Sequence, residues 1–286
     1  MAQREGSPQF ASLPYEVAVK SRRFEGQVAM IHGGAQGLGR VVGRRLAQEG
    51  ARIVIADVQE EQGSKTANDI SAETEMECAA YAGDLSVVGV ADRMVESVLE
   101  RFGQLDALVN TAAYQMRKPL LSFTEEMLQK AVNWNVWNTL RACKAVLPGM
   151  MERRYGRIVN IGGSAFEKGS PYHTLLAGVG KGGIVGLTTT LAGEFVTHGI
   201  TVNCVSPMAM DVQADGIPDS QAGGRSPEFN PTEAELEQYG PRGGGVPIGR
   251  PAHPTEVAAA VAFFASPEAS YITGQLLSVT GGGYML

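Results

Sequence analysis

The segment His32-Gly33-Gly34-Ala35-Gln36-Gly37-Leu38-Gly39 constrains this chain more than any other. It follows an apolar run, Val28–His32, and precedes Arg40–Gly50, where Val42, Leu46 and Ala47 recur at helical spacing. A glycine-rich turn between a buried strand and a helix lets the backbone turn tightly and approach another group closely. It also aims the N-terminal amides and positive dipole end of the helix at that group. The rest of the chain supplies the sheet such a turn needs. Strand-like runs at Arg52–Ala56, Leu105–Asn110, Gly156–Ile161, Thr201–Val205 and Leu276–Val279 alternate with helical patterns at Asp92–Phe102, Glu125–Met150, Lys181–His198 and Pro254–Phe264. That alternation predicts an α/β fold, a parallel sheet covered by helices on both faces.

The 286 residues fit one large α/β domain, spanning residues 25–286. Residues 1–24 read as an N-terminal extension, polar and broken by Pro8 and Pro14, without the apolar stretch of a secretory signal. Residues 208–249 read as a substrate lid or insert, rich in Gly, Pro, Asp and Glu, with a helical patch at Thr232–Gln238. The net charge of −6 argues against nucleic-acid and polybasic membrane binding. The longest apolar run, Val257–Ala265, falls short of the roughly 20 residues of a membrane helix. Cys78, Cys143 and Cys204 are odd in number and widely spaced, which predicts three buried thiols in a reducing cytoplasm rather than disulfides or a metal site.

The second strand ends at Asp57, about 20 residues beyond the glycines. An acidic residue there accepts hydrogen bonds from the ribose hydroxyls of a bound dinucleotide and repels a 2′-phosphate. NAD(H) is therefore the expected cofactor, while the nearby Arg40 and Arg52 leave NADP(H) open.

With these residues in place, the chain resembles the short-chain dehydrogenase/reductase family over about residues 25–286. Gly33-x-x-x-Gly37-x-Gly39 is similar to that family's glycine spacing, and Asp84-Leu85 to its adenine-contacting pair. Asn110-Thr111-Ala112-Ala113 stands where the family has Asn-Asn-Ala-Gly, and Asn135 matches its active-site asparagine. Arg157–Ile161 resembles the strand leading to the catalytic serine, Lys181–Thr188 the helix carrying the catalytic lysine, and Val202–Pro207 the strand that follows. Ile272-Thr273-Gly274-Gln275 and Gly281-Gly282 match its C-terminal end. The resemblance implies a Rossmann fold with a doubly wound parallel sheet, and a homo-oligomer, dimer or tetramer. It implies cofactor contacts from Gly33, Gln36, Gly37, Leu38, Gly39, Asp57, Asp84, Leu85, Asn110, Lys181 and Pro207, and a catalytic set containing Lys181, Asn135 and Ser164. The implied activity is NAD(H)-dependent oxidation or reduction of a secondary alcohol or ketone, a small molecule such as a cyclic diol or hydroxy acid.

The chain departs from the family where proton transfer occurs. The family's tyrosine lies four residues before the lysine, and here that position is Ala177, within Ala177-Gly178-Val179-Gly180-Lys181. An alanine cannot transfer a proton. Gly162 and Gly163 hold the usual place of the serine, and Ser164 follows, either serving with a small loop shift or bonding its own turn. His32, Thr111, Ala113, Met208 and Val212 are further departures around the same site. Candidates to replace the phenol are Tyr172, which we include in the catalytic set, then His173, Tyr114 and a water linked to Lys181 and Asn135. A water would be a weak base, so the reaction would need a driving force such as aromatisation or an acidic hydroxyl. Two other classes remain open: a non-redox lyase, isomerase or cyclase on the same scaffold, and a catalytically inactive dinucleotide-binding protein. Of the 36 glycines, Gly33, Gly34, Gly37 and Gly39 thus belong to the phosphate loop, Gly162, Gly163, Gly178, Gly180, Gly182 and Gly183 gather near Lys181, and Gly281 and Gly282 close the fold.

Overall fold

A computed structural model describes residues 21–114, 116–164, 166, 169, 174–211, 232–239 and 246–285. Seven strands form one sheet in the order β3-β2-β1-β4-β5-β6-β7. They are β1 (Val28–His32), β2 (Arg52–Asp57), β3 (Cys78–Ala82), β4 (Ala107–Asn110), β5 (Gly156–Ile161), β6 (Ile200–Pro207) and β7 (Leu276–Val279). All neighbouring pairs are parallel. The chain winds outward from β1 to β3, then crosses back to place β4 on the other side of β1. A sheet that reverses in this way opens a crevice at the carboxyl ends of β1 and β4, where ligands bind in such folds.

The helices are α1 (Gly37–Gln48), α2 (Glu60–Thr74), α3 (Val90–Phe102), α4 (Glu125–Val132), α5 (Asn138–Arg153), α6 (Gly182–Phe195), α7 (Glu233–Tyr239) and α8 (Pro254–Ala265). One face of the sheet packs Val42, Leu46, Ile70, Val257 and Val261 from α1, α2 and α8 against Ile31, Ile53, Ile55 and Val109. The other packs Met94, Val98, Cys143, Val146, Met150 and Leu191 from α3, α5 and α6 against Met30, Val54, Leu108 and Ile158. Strands covered on both sides are buried, and β1 and β5 are buried at every position, including the polar His32, Arg157 and Asn160.

The sequence pattern assigns no element to residues 58–91, yet α2 and β3 form there. The buried face of α2 is Gly63, Thr66, Ala67 and Ile70, nearly all small, so its apolar stripe is faint. β3 reads Cys-Ala-Ala-Tyr-Ala and owes its strand to pairing with β2 rather than to intrinsic preference. The expected helix over Glu125–Met150 is instead α4 and α5 joined by a π-helical turn at Asn133–Trp137, and α5 runs through Pro148 to Arg153. Lys181–His198 is likewise divided, because Lys181 ends a second π-helical stretch, Thr174–Lys181, and α6 starts after it. Cys143 and Cys204 are buried, whereas Cys78 is only half-buried; all three are free thiols. No helix is long and apolar enough to cross a membrane among the described residues, and none of their acidic, histidine or cysteine side chains cluster as a metal site.

The first described segment is locked onto the domain. Phe24 is fully buried, and its amide donates to the Glu49 carbonyl. The Glu49 carboxylate, itself out of solvent, accepts from Arg23 through both oxygens and from Arg45. Burial alone would raise the Glu49 pKa, but these hydrogen bonds and charges outweigh it and hold the carboxyl below its ordinary value. Glu49→Ala leaves two arginines around an empty site and is expected to cost about 3 kcal/mol in urea denaturation near neutral pH.

Candidate active site

The glycine loop leaves β1 at His32 and enters α1 at Gly37. Gly33 takes φ +82°, and a Cβ there would stand 2.6 Å from the Ala112 amide nitrogen. A Cβ on Gly39 would stand 2.1 Å from the Gly33 carbonyl oxygen, so the first turn of α1 closes on the loop only if residue 39 has no side chain. Ala35 is pinned between them. Its amide donates to Asp57 Oδ2 at 3.0 Å, and its carbonyl accepts from Thr66 Oγ1 at 2.6 Å. Thr66 lies on α2, the helix with little sequence signal, and is a loop-holding residue that the motif pattern does not reveal.

This cradle fits a dinucleotide pyrophosphate. Gln36 precedes α1 without a side-chain cap, and no acidic residue occupies the first turn. Gly37 takes φ +55° beside open space. A helix N-terminus of this kind offers amide donors and a positive dipole end to an anion. Asp57 lies at the end of β2, where its carboxylate also accepts from the Gln59 amide, and Leu38 leads α1 behind the loop. Asp84 Oδ1 accepts from the Ser86 amide at 2.8 Å, which fixes the loop after β3, and Leu85 beside it is buried.

Across the mouth of the sheet runs a row of polar side chains. His32, Asn110 and Asn160 are register partners on β1, β4 and β5. His32 Nδ1 lies 3.1 Å from Asn110 Oδ1, Asn110 Nδ2 donates to Asn160 Oδ1 at 2.9 Å, and Asn160 Nδ2 donates to Thr188 Oγ1 at 3.0 Å on α6. Thr188 Oγ1 donates in turn to the Ile184 carbonyl at 2.8 Å. Asn110 therefore faces its neighbours inside the sheet. Burial is the main cause that lowers the His32 pKa, against the raising influence of Asn110. The Asn110 side of this row was expected from the motif; His32, Asn160 and Thr188 were not, because their roles come from lateral register.

Lys181 sits where the second π stretch meets α6. It is buried, and its Nζ donates to the Ile161 carbonyl at 2.7 Å, at the end of β5. Burial pushes its pKa down to about 8. Beyond Ile161 the chain continues alongside β6, with the Gly162 amide on the Val205 carbonyl and the Ser164 amide on the Pro207 carbonyl at 3.2 Å. Ser164 is thus tied by its amide to β6 at the same mouth as Lys181, and it is buried. Asn135 lies in the first π turn. Its Oδ1 accepts from the Tyr114 amide at 3.0 Å, and its Nδ2 donates to the Tyr114 and Ala131 carbonyls. The side chain of Asn135 is committed to holding Tyr114, whose ring packs on Trp134 with centroids 4.3 Å apart. The two π stretches pack against each other. Tyr172 and His173 lie outside the described residues, as does most of 208–249. The helical part of that insert, α7, lies beside the segment after β4, where Ser122 hydrogen-bonds Glu235.

A parallel sheet reversing at β1, with a glycine cradle at its mouth and an acidic residue closing β2, defines a Rossmann-type dinucleotide-binding domain. A family model described as enoyl-(acyl carrier protein) reductase matches residues 33–284, and the chain belongs to the short-chain dehydrogenase/reductase family. It is 37% identical over 265 residues to the 2,3-dihydroxy-2,3-dihydro-p-cumate dehydrogenase of Pseudomonas putida strain F1, covering 92% of this chain and 96% of that one. It is 33% identical over 264 residues to a 3-oxoacyl-(acyl-carrier-protein) reductase of Vibrio cholerae, covering 92% and 99%. The structure superposes on NAD+-bound xylitol dehydrogenase with a TM-score of 0.77 at 29% identity, over 91% of this chain and 100% of that one.

Two outcomes are expected from this geometry. Gly39→Ala, whose methyl meets the Gly33 carbonyl, weakens NADH binding by roughly a hundredfold or more in a fluorescence titration, with the circular dichroism spectrum retained. Lys181→Met makes the ligand-free protein more stable near pH 7, by about 2 kcal/mol, since it removes a buried charge. The sign follows from the lowered pKa. Between about 8 and 10.5 the unfolded chain holds the lysine proton and the folded one does not, so wild-type stability rises with pH and the gap closes. Urea melts across that range check it.

Proposed function

We propose that this protein is an NAD(H)-dependent oxidoreductase that oxidises a secondary alcohol, with a cyclic cis-dihydrodiol as the substrate class, through a proton relay that does not use a tyrosine one turn before the lysine. The observation that carries the reading is an intact dinucleotide cradle joined to a buried Lys181, with Ala177 at the position four residues earlier. A bound nicotinamide supplies the hydride acceptor. The chain's own residues do the rest. The amides of the loop around Gly33, Gly37 and Gly39 receive the pyrophosphate, with Gln36 and Leu38 shaping its rim. Asp57 receives the adenosine ribose, Asp84 and Leu85 border the adenine, and Pro207 and Asn110 back the nicotinamide end. Lys181 and Ser164 face the reacting oxygen, and Asn135 fixes the wall that Tyr114 begins.

Asp57 favours NAD(H), because a 2′-phosphate would add negative charge beside a carboxylate that already holds the loop. The dihydrodiol class is supported on chemical grounds. Oxidation of a ring dihydrodiol ends in an aromatic catechol, and that driving force tolerates a weaker base than a phenolate. The name of the Pseudomonas putida relative points to the same class. Residues 208–249 serve as the lid in this reading, with α7 seated over the segment after β4. The protein assembles as a dimer or tetramer in the cytoplasm. The exposed Gly183, Gly186 and Gly193 of α6 let a second copy approach closely.

The test is purified protein with NAD or NADP and a panel of cis-dihydrodiols, acyclic polyols, hydroxy acids and 3-oxoacyl thioesters, followed at the NADH absorbance. The expected result is turnover of dihydrodiols with NAD preferred. Tight NADH binding with no turnover of any substrate would leave the inactive, dinucleotide-binding reading. Product without net NADH would leave the lyase or isomerase reading.

A further inference from the structure

We propose that Lys181 is itself the proton acceptor for the substrate hydroxyl. This rests on the oxidoreductase reading above and names the group that completes its relay.

The geometry isolates one amine at the mouth of the sheet. Lys181 is buried, and among the described residues its Nζ donates to the Ile161 carbonyl and pairs with no carboxylate. The neighbouring backbone is bare. A Cβ on Gly163 would stand 3.4 Å from Lys181 Cγ, in ordinary contact, so the stem lies along the loop that carries Ser164. An ammonium in water is surrounded by acceptors, whereas here it has one carbonyl and no anion. The neutral amine therefore competes near the pH of the reaction, in keeping with a value of about 8.

Among the described residues, the titratable groups that face Lys181 are few. Cys204 on β6 favours the ammonium when ionised. His32 on β1 feels the Lys181 charge, but burial keeps the imidazole neutral. Charges on the packed helices do not reach the site. Glu125, Glu126 and Lys130 lie on the exposed side of α4, with Lys130 paired to Glu126, and Arg141 of α5 donates to the Ser86 carbonyl while Lys144 is exposed. Asn135 has no side-chain hydrogen left for a relay, since both hydrogens of its Nδ2 are given to carbonyls.

The step balances as a two-electron oxidation. The carbinol O–H bond breaks and its proton goes to the lone pair of Nζ. The O–H bonding pair becomes the second C–O bond. The carbinol C–H pair leaves as hydride to the oxidised nicotinamide, and the ammonium then returns its proton to solvent. An amine with a pKa near working pH suits this task better than one at the ordinary lysine value.

The titration is read directly by NMR of protein carrying 15N-labelled lysine side chains, with the Lys181 signal assigned by its loss in Lys181→Arg. A midpoint of about 8 is expected; a midpoint above about 10, the range of ordinary lysines, would overturn the proposal whatever the activity. With an oxidised substrate in hand, kcat is expected to rise with pH to the same midpoint. Lys181→Arg, which stays protonated, should lose roughly a hundredfold or more in kcat. Turnover of Lys181→Ala should recover in proportion to added propylamine free base. If Lys181→Arg keeps the wild-type rate and pH limb, or if Tyr172→Phe removes both, the proton passes through another group and the proposal fails alone. If the wild type binds NADH but oxidises nothing, the oxidoreductase reading fails and this role falls with it.

Discussion

One hydrogen bond sets the direction of the polar row at the mouth of the sheet. Thr188 has a single hydroxyl proton and gives it to the Ile184 carbonyl within α6. It can then only accept from Asn160, so the Asn160 amide must turn its Nδ2 toward α6 and its Oδ1 toward Asn110. Asn110 in turn presents Oδ1 to His32, which assigns the imidazole as the neutral tautomer with its proton on Nδ1. Each bond is satisfied only if the next has the right sense, and a buried chain of this kind is costly to break at any link. The row therefore couples the glycine loop, which begins at Gly33, to the helix that follows Lys181. The His32 carbonyl strengthens the link at the loop end, accepting from the Thr111 and Ala112 amides and the Thr111 hydroxyl.

The same mouth holds two local departures from α-helical geometry, and both position chemistry. At Asn133–Trp137 the wider turn places Asn135 inward, where it grips both polar groups of the Tyr114 backbone. At Thr174–Lys181 it delivers Lys181 to the end of β5. An inserted residue in a helix shifts the side chains that follow by about 100°, and such turns persist where the surrounding packing holds them, often at functional sites. The spacing of four between Ala177 and Lys181 is thus a statement about sequence. In an α-helix it would put the two on one face, and in a π turn it does so less closely.

The glycine loop, the strand bearing Asp57, and the lysine and asparagine of the site are legible in the sequence because each depends on local chemistry. Gly33 and Gly39 have no room for a side chain, and β1 is apolar up to His32. What stays hidden depends on lateral neighbours. α2 buries a face of small residues, so its pattern is weak, and β3 is a strand of alanines held by β2. The π turns carry no compositional mark. His32 reads as one departure from the family among several until the register of β1, β4 and β5 puts it in line with Asn110 and Asn160.

Gly162, near Lys181, is held small by a side chain on β6. Cys204 points its sulfur at the end of β5, and a Cβ on Gly162 would stand 2.9 Å from it. A serine at that position, as in the family pattern, would have to displace the thiol. With Cys204 in place, residue 162 must stay small, and the first hydroxyl along the chain is moved on to Ser164, which β6 then holds through Pro207. The Lys181 stem passes Gly163, where a Cβ would stand 3.4 Å from its Cγ, and its Nζ donates to the Ile161 carbonyl. Burial lowers the Lys181 pKa, and Cys204 on β6 opposes that shift.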